Sequence, residues 1–206
     1  MANPWISIPL ADYEGHMKSA EVQQLDALSD LFGEALACCR PASVAVLGIA
    51  GGNGLDRVDG TITNRVVGLD INPSYLNAVR QRYADTCSLE LYCVDLAEQL
   101  IDIAPVQLVH AALVFEHAGT GICLENALSL VAPGGALSVV LQLPSQFEQG
   151  VAPSQFSSIQ KLKPHFSLID TKWLQATLAQ REFRVTHRTE CSLPAGKGLW
   201  MGVFAR

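Results

Sequence analysis

The sequence predicts an α/β domain built on a doubly wound, mostly parallel seven-stranded sheet with an antiparallel C-terminal hairpin. Three observations carry that class. Short apolar or β-branched runs alternate with stretches of helical periodicity from residue 20 to residue 143. The first run, Val44-Ala-Val-Leu47, empties into Gly48-Ile-Ala-Gly-Gly-Asn-Gly54, and the second, Arg65-Val-Val-Gly-Leu69, ends on Asp70. Near the end, two alternating runs flank Pro194-Ala-Gly-Lys-Gly198, the turn of a hairpin. The chain of 206 residues fits one domain, 1–206, and 49% apolar content with 17% charge supplies a sizeable core.

Each element has a local reason. Val22, Leu25, Leu28, Phe32 and Leu36 recur at helical spacing, which predicts an amphipathic helix over 20–38 stopped by Pro41. The strands over 44–47 and 65–70 are near-continuous apolar runs, as parallel strands buried on both faces require. Asn72-Pro73-Ser74 opens a helix with proline in its first turn and Tyr75, Leu76, Val79 and Tyr83 on its apolar face. A third strand over 89–94 leads to Asp95-Leu96, and a fourth over 106–115 leads to Glu116-His117. A helix over 121–131 gives way to Pro133-Gly134-Gly135 and a strand over 136–143. The Ser-, Gln- and Pro-rich stretch 144–164 is a long loop, expected on the substrate side. Asp170 or Thr171 caps a helix through Trp173, Leu174 and Leu178, ahead of strands over 183–193 and 198–206. At the other end, a helical reading puts Tyr13, His16 and Met17 on one face, so 1–18 is expected either as a lid or as a packing arm.

Composition narrows the class further. No run of eighteen apolar residues occurs, and Met-Ala-Asn-Pro-Trp lacks the basic and apolar stretches of a signal peptide, so a cytoplasmic location is expected. The cysteines at 38, 39, 87, 93, 123 and 191 show no C-x-x-C spacing and read as buried thiols. No His/Asp cluster has metal-ligand spacing. Residues 1–150 carry six Lys and Arg against seventeen Asp and Glu, whereas 151–206 carry eight against three. A basic C-terminal third suits an anionic substrate or RNA, but its cations are scattered without interleaved aromatics. Solvated faces are therefore expected there, and nucleic acid is not.

A glycine-rich first loop followed by an acid at the tip of the second strand holds a ribose in α/β folds. Asp70 lies sixteen residues beyond Gly54, so a nucleoside-bearing cofactor is expected. The dinucleotide pattern G-x-G-x-x-G cannot be placed between Gly48 and Gly60, and no lysine near the loop completes a phosphate loop. What stands there resembles the first motif of class I S-adenosylmethionine-dependent methyltransferases, acid-x-Gly-x-Gly-x-Gly. Gly48 occupies the acid's place and Ala50 that of the first glycine. Val67-Gly-Leu-Asp-Ile-Asn-Pro73, Val94-Asp-Leu96, Ala112-Leu-Val-Phe-Glu-His117 and Ala132-Pro-Gly-Gly135 follow in that family's order, so the resemblance spans nearly the whole chain.

The resemblance implies a Rossmann-like methyltransferase fold, S-adenosyl-L-methionine as cofactor and a small-molecule acceptor. It implies that backbone at Gly48, Ala50 and Gly52 lines the methionine moiety, with Gly51, Asn53 and Gly54 in the same loop. Asp70 is implied as acceptor for the ribose hydroxyls, with helix capping as its competing role. Ile71 is implied as a wall for the adenine, Asp95 as acceptor for its amino group or as a cap, and Leu96 beside it. Asn72, Leu113 and Phe115 complete the implied cofactor set. Glu116 and His117 stand where donor methyl and acceptor meet, and with Tyr13 and His16 they are the catalytic candidates; His117 accepts a proton or merely orients its loop. A ring face at Tyr13 or Phe115 suits a sulfonium. The competing functions are a non-catalytic nucleoside-binding module serving a partner protein and, more remotely, a nicotinamide-dependent oxidoreductase.

Overall fold

The computed structural model describes residues 3–84, 88–145 and 151–206. β1 (Ser43–Leu47) pairs in parallel with β2 (Arg65–Asp70) on one side and with β4 (Val106–Ala112) on the other. β3 (Ser88–Cys93) extends the sheet beyond β2, and β5 (Val131–Gln142) extends it beyond β4, both in parallel. β7 (Gly198–Ala205) inserts antiparallel between β5 and β6 (Arg184–Ser192), giving the order β3-β2-β1-β4-β5-β7-β6. From β1 the chain winds outward through β2 and β3, then returns to start β4 on β1's other side. At such a reversal the connections leave in opposite directions and open a crevice at the carboxyl ends of the strands.

Helices cover both faces. α2 (Gln24–Cys39) buries Leu28, Leu31, Phe32, Ala35 and Leu36 against Val44, Val66, Leu108 and Met201. Each such side chain contributes roughly 1.5–3 kcal/mol by leaving water. α3 (Pro73–Arg82) joins the same layer through Leu76 and Val79. Its N-cap is Asn72, whose side chain accepts from the Ser74 N–H at 2.9 Å. The opposite face carries α5 (Ile122–Ser129) and α7 (Thr171–Gln180), which bring Cys123, Leu124, Ala127, Leu174 and Leu178 onto Leu47, Leu69, Val109 and Leu137. Three short helices border the crevice: α1 (Leu10–Lys18), α4 (Phe115–Ala118) and α6 (Ser157–Gln160).

Several boundaries depart from the sequence reading. α2 begins at Gln24, not at residue 20, because Gln23 adopts a left-handed backbone at φ 46°. β4 stops at Ala112, three residues short of Phe115, because Leu113 turns left-handed at φ 55° and α4 follows. β5 begins five residues before Ala136: the Pro133-Gly134-Gly135 turn is absorbed as an irregularity in its pairing with β4, with Gly134 at φ 74°. The 144–164 stretch contains α6 and begins a turn at Lys163–His165; residues 146–150 lie outside the described residues. Among the described residues the cysteines are free, but Cys38 and Cys93 are exposed, against the expectation of buried thiols: Cys38 lies in the last turn of α2 and Cys93 ends β3. Cys87 lies outside the described residues.

Candidate active site

The cleft lies over the carboxyl ends of β1 to β5, and Asp70 is its best-supported polar group. It closes β2 and is 7% exposed. One carboxylate oxygen accepts from the Ala50 N–H and the other from the Asn72 N–H, both at 2.8 Å. Each oxygen retains a second acceptor direction. Burial raises the Asp70 pKa to about 6, against the lowering effect of those backbone donors. Across from it the β1 loop bends through Gly48 at φ 66° and Ala50 at φ 46°, and both residues line the cleft. A left-handed alanine costs on the order of 1–2 kcal/mol. The bond from Ala50 to Asp70 holds it in place.

Beside Asp70, Ile71, Val94, Asp95 and Leu96 form the next part of the wall. Asp95 accepts from the Ala97 N–H at 2.9 Å with one oxygen and from the Asn3 side-chain amide at 3.4 Å with the other. Asp95 thus caps its own turn and faces the cleft together.

The N-terminal segment roofs this wall. Tyr13, His16 and Met17 of α1 line the cleft, with Trp5 from the turn before it. Trp5 meets Tyr13 edge-on at 5.7 Å and His117 at 4.9 Å, while Tyr13 stacks on Tyr75 at 6.2 Å. Three anchors hold the roof down. The Asn72 side-chain amide donates to the Trp5 carbonyl at 2.9 Å and to the Ile8 carbonyl at 3.4 Å. Arg82 of α3 pairs with Glu14 through both its terminal nitrogens and also donates to the Gly51 carbonyl at 3.1 Å. Ser158 of α6 donates to Asp12 at 2.6 Å.

Beyond β4, His117 lines the cleft against Phe166, with its Nδ1 buried and lacking a hydrogen-bond partner. Burial first, and His165 second, lower its pKa to about 4, so the ring is neutral at pH 7. His16 Nδ1 is likewise buried and unpartnered, and its pKa is lowered by burial and then by Lys197. Val151, Ala152, Ile159 and Leu162 from the 144–164 stretch close the far wall, joined by Gln24, Gln142 and Lys197. Among the described residues no cluster of His, Cys, Asp and Glu could hold a metal ion, and no helix is long and apolar enough to cross a membrane.

No family model matches the sequence, and no curated protein matches it. Solved structures do match. The N-methyltransferase NodS from Bradyrhizobium japonicum WM9, in complex with S-adenosyl-L-homocysteine, is similar at a TM-score of 0.69 and 14% identity, over 100% of this chain and 99% of that one. The chain has the class I methyltransferase fold. A chain in the complex between the Haloferax volcanii Trm112 methyltransferase activator and the putative methyltransferase gives 0.66 at 18% identity, covering 98% of each. Magnesium protoporphyrin IX methyltransferase from Synechocystis PCC 6803 with bound S-adenosyl-L-homocysteine gives 0.65 at 12%, covering 94% of this chain and 86% of that one. At these identities the likeness is one of fold, and function rests on the site itself.

Within this methyltransferase fold the cleft receives ten of the seventeen residues singled out from sequence: Gly48, Ala50, Asp70, Ile71, Asp95, Leu96, Leu113, His117, Tyr13 and His16. The other seven do not line the cleft. Gly51, Gly52, Asn53 and Gly54 are outside its lining. An added Cβ at Gly51 would strike the Glu14–Arg82 pair, one at Gly52 would lie 2.6 Å from the Tyr83 ring, and one at Gly54 would lie 3.0 Å from Phe32. Their missing side chains admit the protein's own residues. Asn53 donates to the Leu25 carbonyl at 2.7 Å. Asn72 caps α3 and ties down the roof. Phe115 is 1% exposed in the core, and Glu116, also 1% exposed, accepts from the Gln142 N–H at 2.8 Å behind the wall. Burial raises the Glu116 pKa to about 7. The sequence reading missed Trp5, Gln24, Gln142, Phe166 and Lys197 as cleft residues.

Proposed function

We propose that the protein transfers a methyl group from S-adenosylmethionine to a small-molecule acceptor in this cleft. The observation that carries the reading is Asp70: a buried carboxylate at the end of β2, facing the cleft across from the bare backbone turn at Gly48 and Ala50. Its remaining acceptor directions suit two neighbouring ribose hydroxyls. Asp95 suits an adenine amino group, with Ile71 and Leu96 as apolar walls. The residues present therefore fit the cofactor. S-adenosylmethionine, when bound, supplies an electrophilic methyl group on a positive sulfonium.

The chain's own contribution is placement and exclusion of water. Transfer needs the acceptor aligned with the methyl–sulfur bond, and a fixed orientation of this kind removes much of an otherwise bimolecular barrier. The α1 roof, with Tyr13 and Met17 facing inward, excludes water. The Tyr13 ring face favours a cation by about 0.5–2 kcal/mol when desolvated; Phe115, in the core, does not take part. Neutral His16 and His117 each offer one ring nitrogen that accepts a proton or a hydrogen bond.

A second reading has its own observation. Gly48 stands where the resembling family places an acid, and a Cβ there would lie 3.3 Å from Val114, which leaves little room for one. A cofactor-binding module that serves a partner protein fits that loss, and the Haloferax volcanii complex is a pairing of this fold with an activator. Calorimetric titration with S-adenosylmethionine, S-adenosylhomocysteine and NAD tests both readings. Binding of the first two without NAD, with product release on an acceptor panel, supports methyl transfer. Binding without turnover supports the module, and binding of NAD alone refutes both.

A further inference from the structure

Among the described residues, four buried side-chain atoms have no hydrogen-bond partner: His16 Nδ1, Tyr75 Oη, Glu116 Oε2 and His117 Nδ1. Folded proteins leave few such atoms, because each forfeits the hydrogen bonds it made in water. Three of the four belong to residues that line the cleft. Glu116 lies behind the wall, and the two histidines already stand among the catalytic candidates. Tyr75 is 1% exposed, its ring packed and its hydroxyl bonded to nothing in the protein.

That hydroxyl belongs to the Asp70 end of the cleft. Tyr75 is the third residue of α3, and its N–H donates to the Asn72 carbonyl at 3.1 Å. The Asn72 N–H in turn donates to Asp70 at 2.8 Å. Stacking on Tyr13 of the roof, at 6.2 Å with 30° between the ring planes, fixes the Tyr75 ring from the other side. Burial first, then the neighbouring Tyr13, Asp70, Asp12 and Glu14, hold the phenol pKa above its ordinary value. The group is therefore a neutral O–H, a donor with carboxylates near it and a bond to none of them.

Resting on the methyltransferase reading, we propose that Tyr75 binds the cofactor: its phenol donates to a ribose hydroxyl oxygen whose own O–H donates to Asp70. The two side chains are complementary. Ionised Asp70 offers acceptors only, and a hydroxyl oxygen that gives its proton to a carboxylate keeps lone pairs of its own. In a cleft closed to water those lone pairs need a protein donor, or their burial is costly. Tyr75 supplies one. Phenylalanine would fill the same space in the wall and leave no buried donor unpaired, so packing alone does not call for the oxygen. The ligand-free site is incomplete, and the nucleoside completes it.

The test is Tyr75→Phe, with binding and stability read separately. S-adenosylhomocysteine and methylthioadenosine, which keeps the nucleoside but lacks the amino-acid part, are titrated calorimetrically into wild type and variant at pH 7.5. Both ligands should bind the variant about threefold to tenfold more weakly. The ligand-free variant should melt at the wild-type temperature or above it, because it loses an oxygen that bonded to nothing. Undiminished affinity overturns the proposal. So does a loss confined to S-adenosylhomocysteine, which would place the phenol at the amino-acid end, or methylthioadenosine failing to bind wild type at millimolar concentration. A lower melting temperature, or a variant that fails to fold, overturns it as well, since either would show that the oxygen supports the protein itself. Failure of S-adenosylhomocysteine to bind wild type refutes the methyltransferase reading; its binding with equal affinity to both proteins refutes the Tyr75 proposal alone.

Discussion

Replacing Asp70 with asparagine separates the two roles of that carboxylate. In the folded protein its oxygens accept from the Ala50 and Asn72 N–H groups at 2.8 Å each. Asparagine keeps one oxygen and turns an NH2 toward the other donor, so one buried bond is lost, at about 1–3 kcal/mol. Against this stands the cost of ionising a buried carboxyl. Burial raises the pKa from 3.8 to about 6, a shift worth on the order of 3 kcal/mol. Because the folded pKa is the higher one, the stability Asp70 contributes is fully present below about pH 4 and is lost as pH rises through about 6. Asparagine carries no such penalty. At pH 7.5 gain and loss nearly cancel and Asp70→Asn stays folded; at pH 4 the variant is less stable than wild type by about 1–3 kcal/mol. Urea unfolding of both proteins at the two pH values measures this difference. Calorimetry at pH 7.5 reads the other role: loss of bonds to a charged acceptor should weaken S-adenosylhomocysteine binding by about 1.5–3 kcal/mol. Undiminished affinity in the folded variant would refute the ribose assignment, and a stability difference independent of pH would refute the buried-charge argument.

Four further outcomes follow from the same geometry. Gly52→Val places a branched side chain at φ 82° with its Cβ 2.6 Å from Tyr83, so thermal unfolding should show a loss of about 1–3 kcal/mol while the folded fraction binds S-adenosylhomocysteine normally. Ala50→Gly relieves a left-handed alanine and should leave stability unchanged or raised by up to about 1 kcal/mol, read by the same melt. Glu116→Gln removes a buried carboxyl whose pKa is raised from 4.5 to about 7; the folded pKa is again the higher one, so the variant should gain on wild type as pH rises from 4 to 8, by about 3 kcal/mol before the cost of its new amide, in paired urea melts. S-adenosylhomocysteine should slow amide hydrogen exchange across residues 5–17 beyond its slowing of β1 and β2, while Tyr13→Phe and His16→Ala should lower turnover more than cofactor affinity; equal exchange with full activity would make the segment a packing arm.

How much of this was legible in the sequence depended on what kind of signal carried it. Strands buried on both faces must be apolar throughout, so β1 and β2 showed as runs, and the acid closing the second run located Asp70 before any coordinates. Glycine is ambiguous by nature: the missing Cβ admits a ligand or the protein's own side chains, and only packing reveals that Gly51, Gly52 and Gly54 admit Glu14, Arg82, Tyr83 and Phe32. The residues after β4 failed for a different reason. Reading 106–115 as one strand carries the alternation of faces through Phe115, but Leu113 breaks it at φ 55° and α4 begins at Phe115. Face assignment then follows a helical turn, which buries Phe115 and Glu116 and leaves His117 toward the cleft. Lys197 could not be read at all, because its position depends on β7 entering between β5 and β6. That insertion brings a hairpin turn from the last tenth of the sequence to the end of β5, opposite Asp70. The expectation of solvated faces after position 150 holds for seven of the eight cations there, and the one that lines the cleft sits within a turn signal. Local pattern fixes where strands run and which acids end them, whereas the end of the cleft opposite Asp70 is assembled from α1, α2, β5 and the β6–β7 turn, segments with no shared periodicity to announce them.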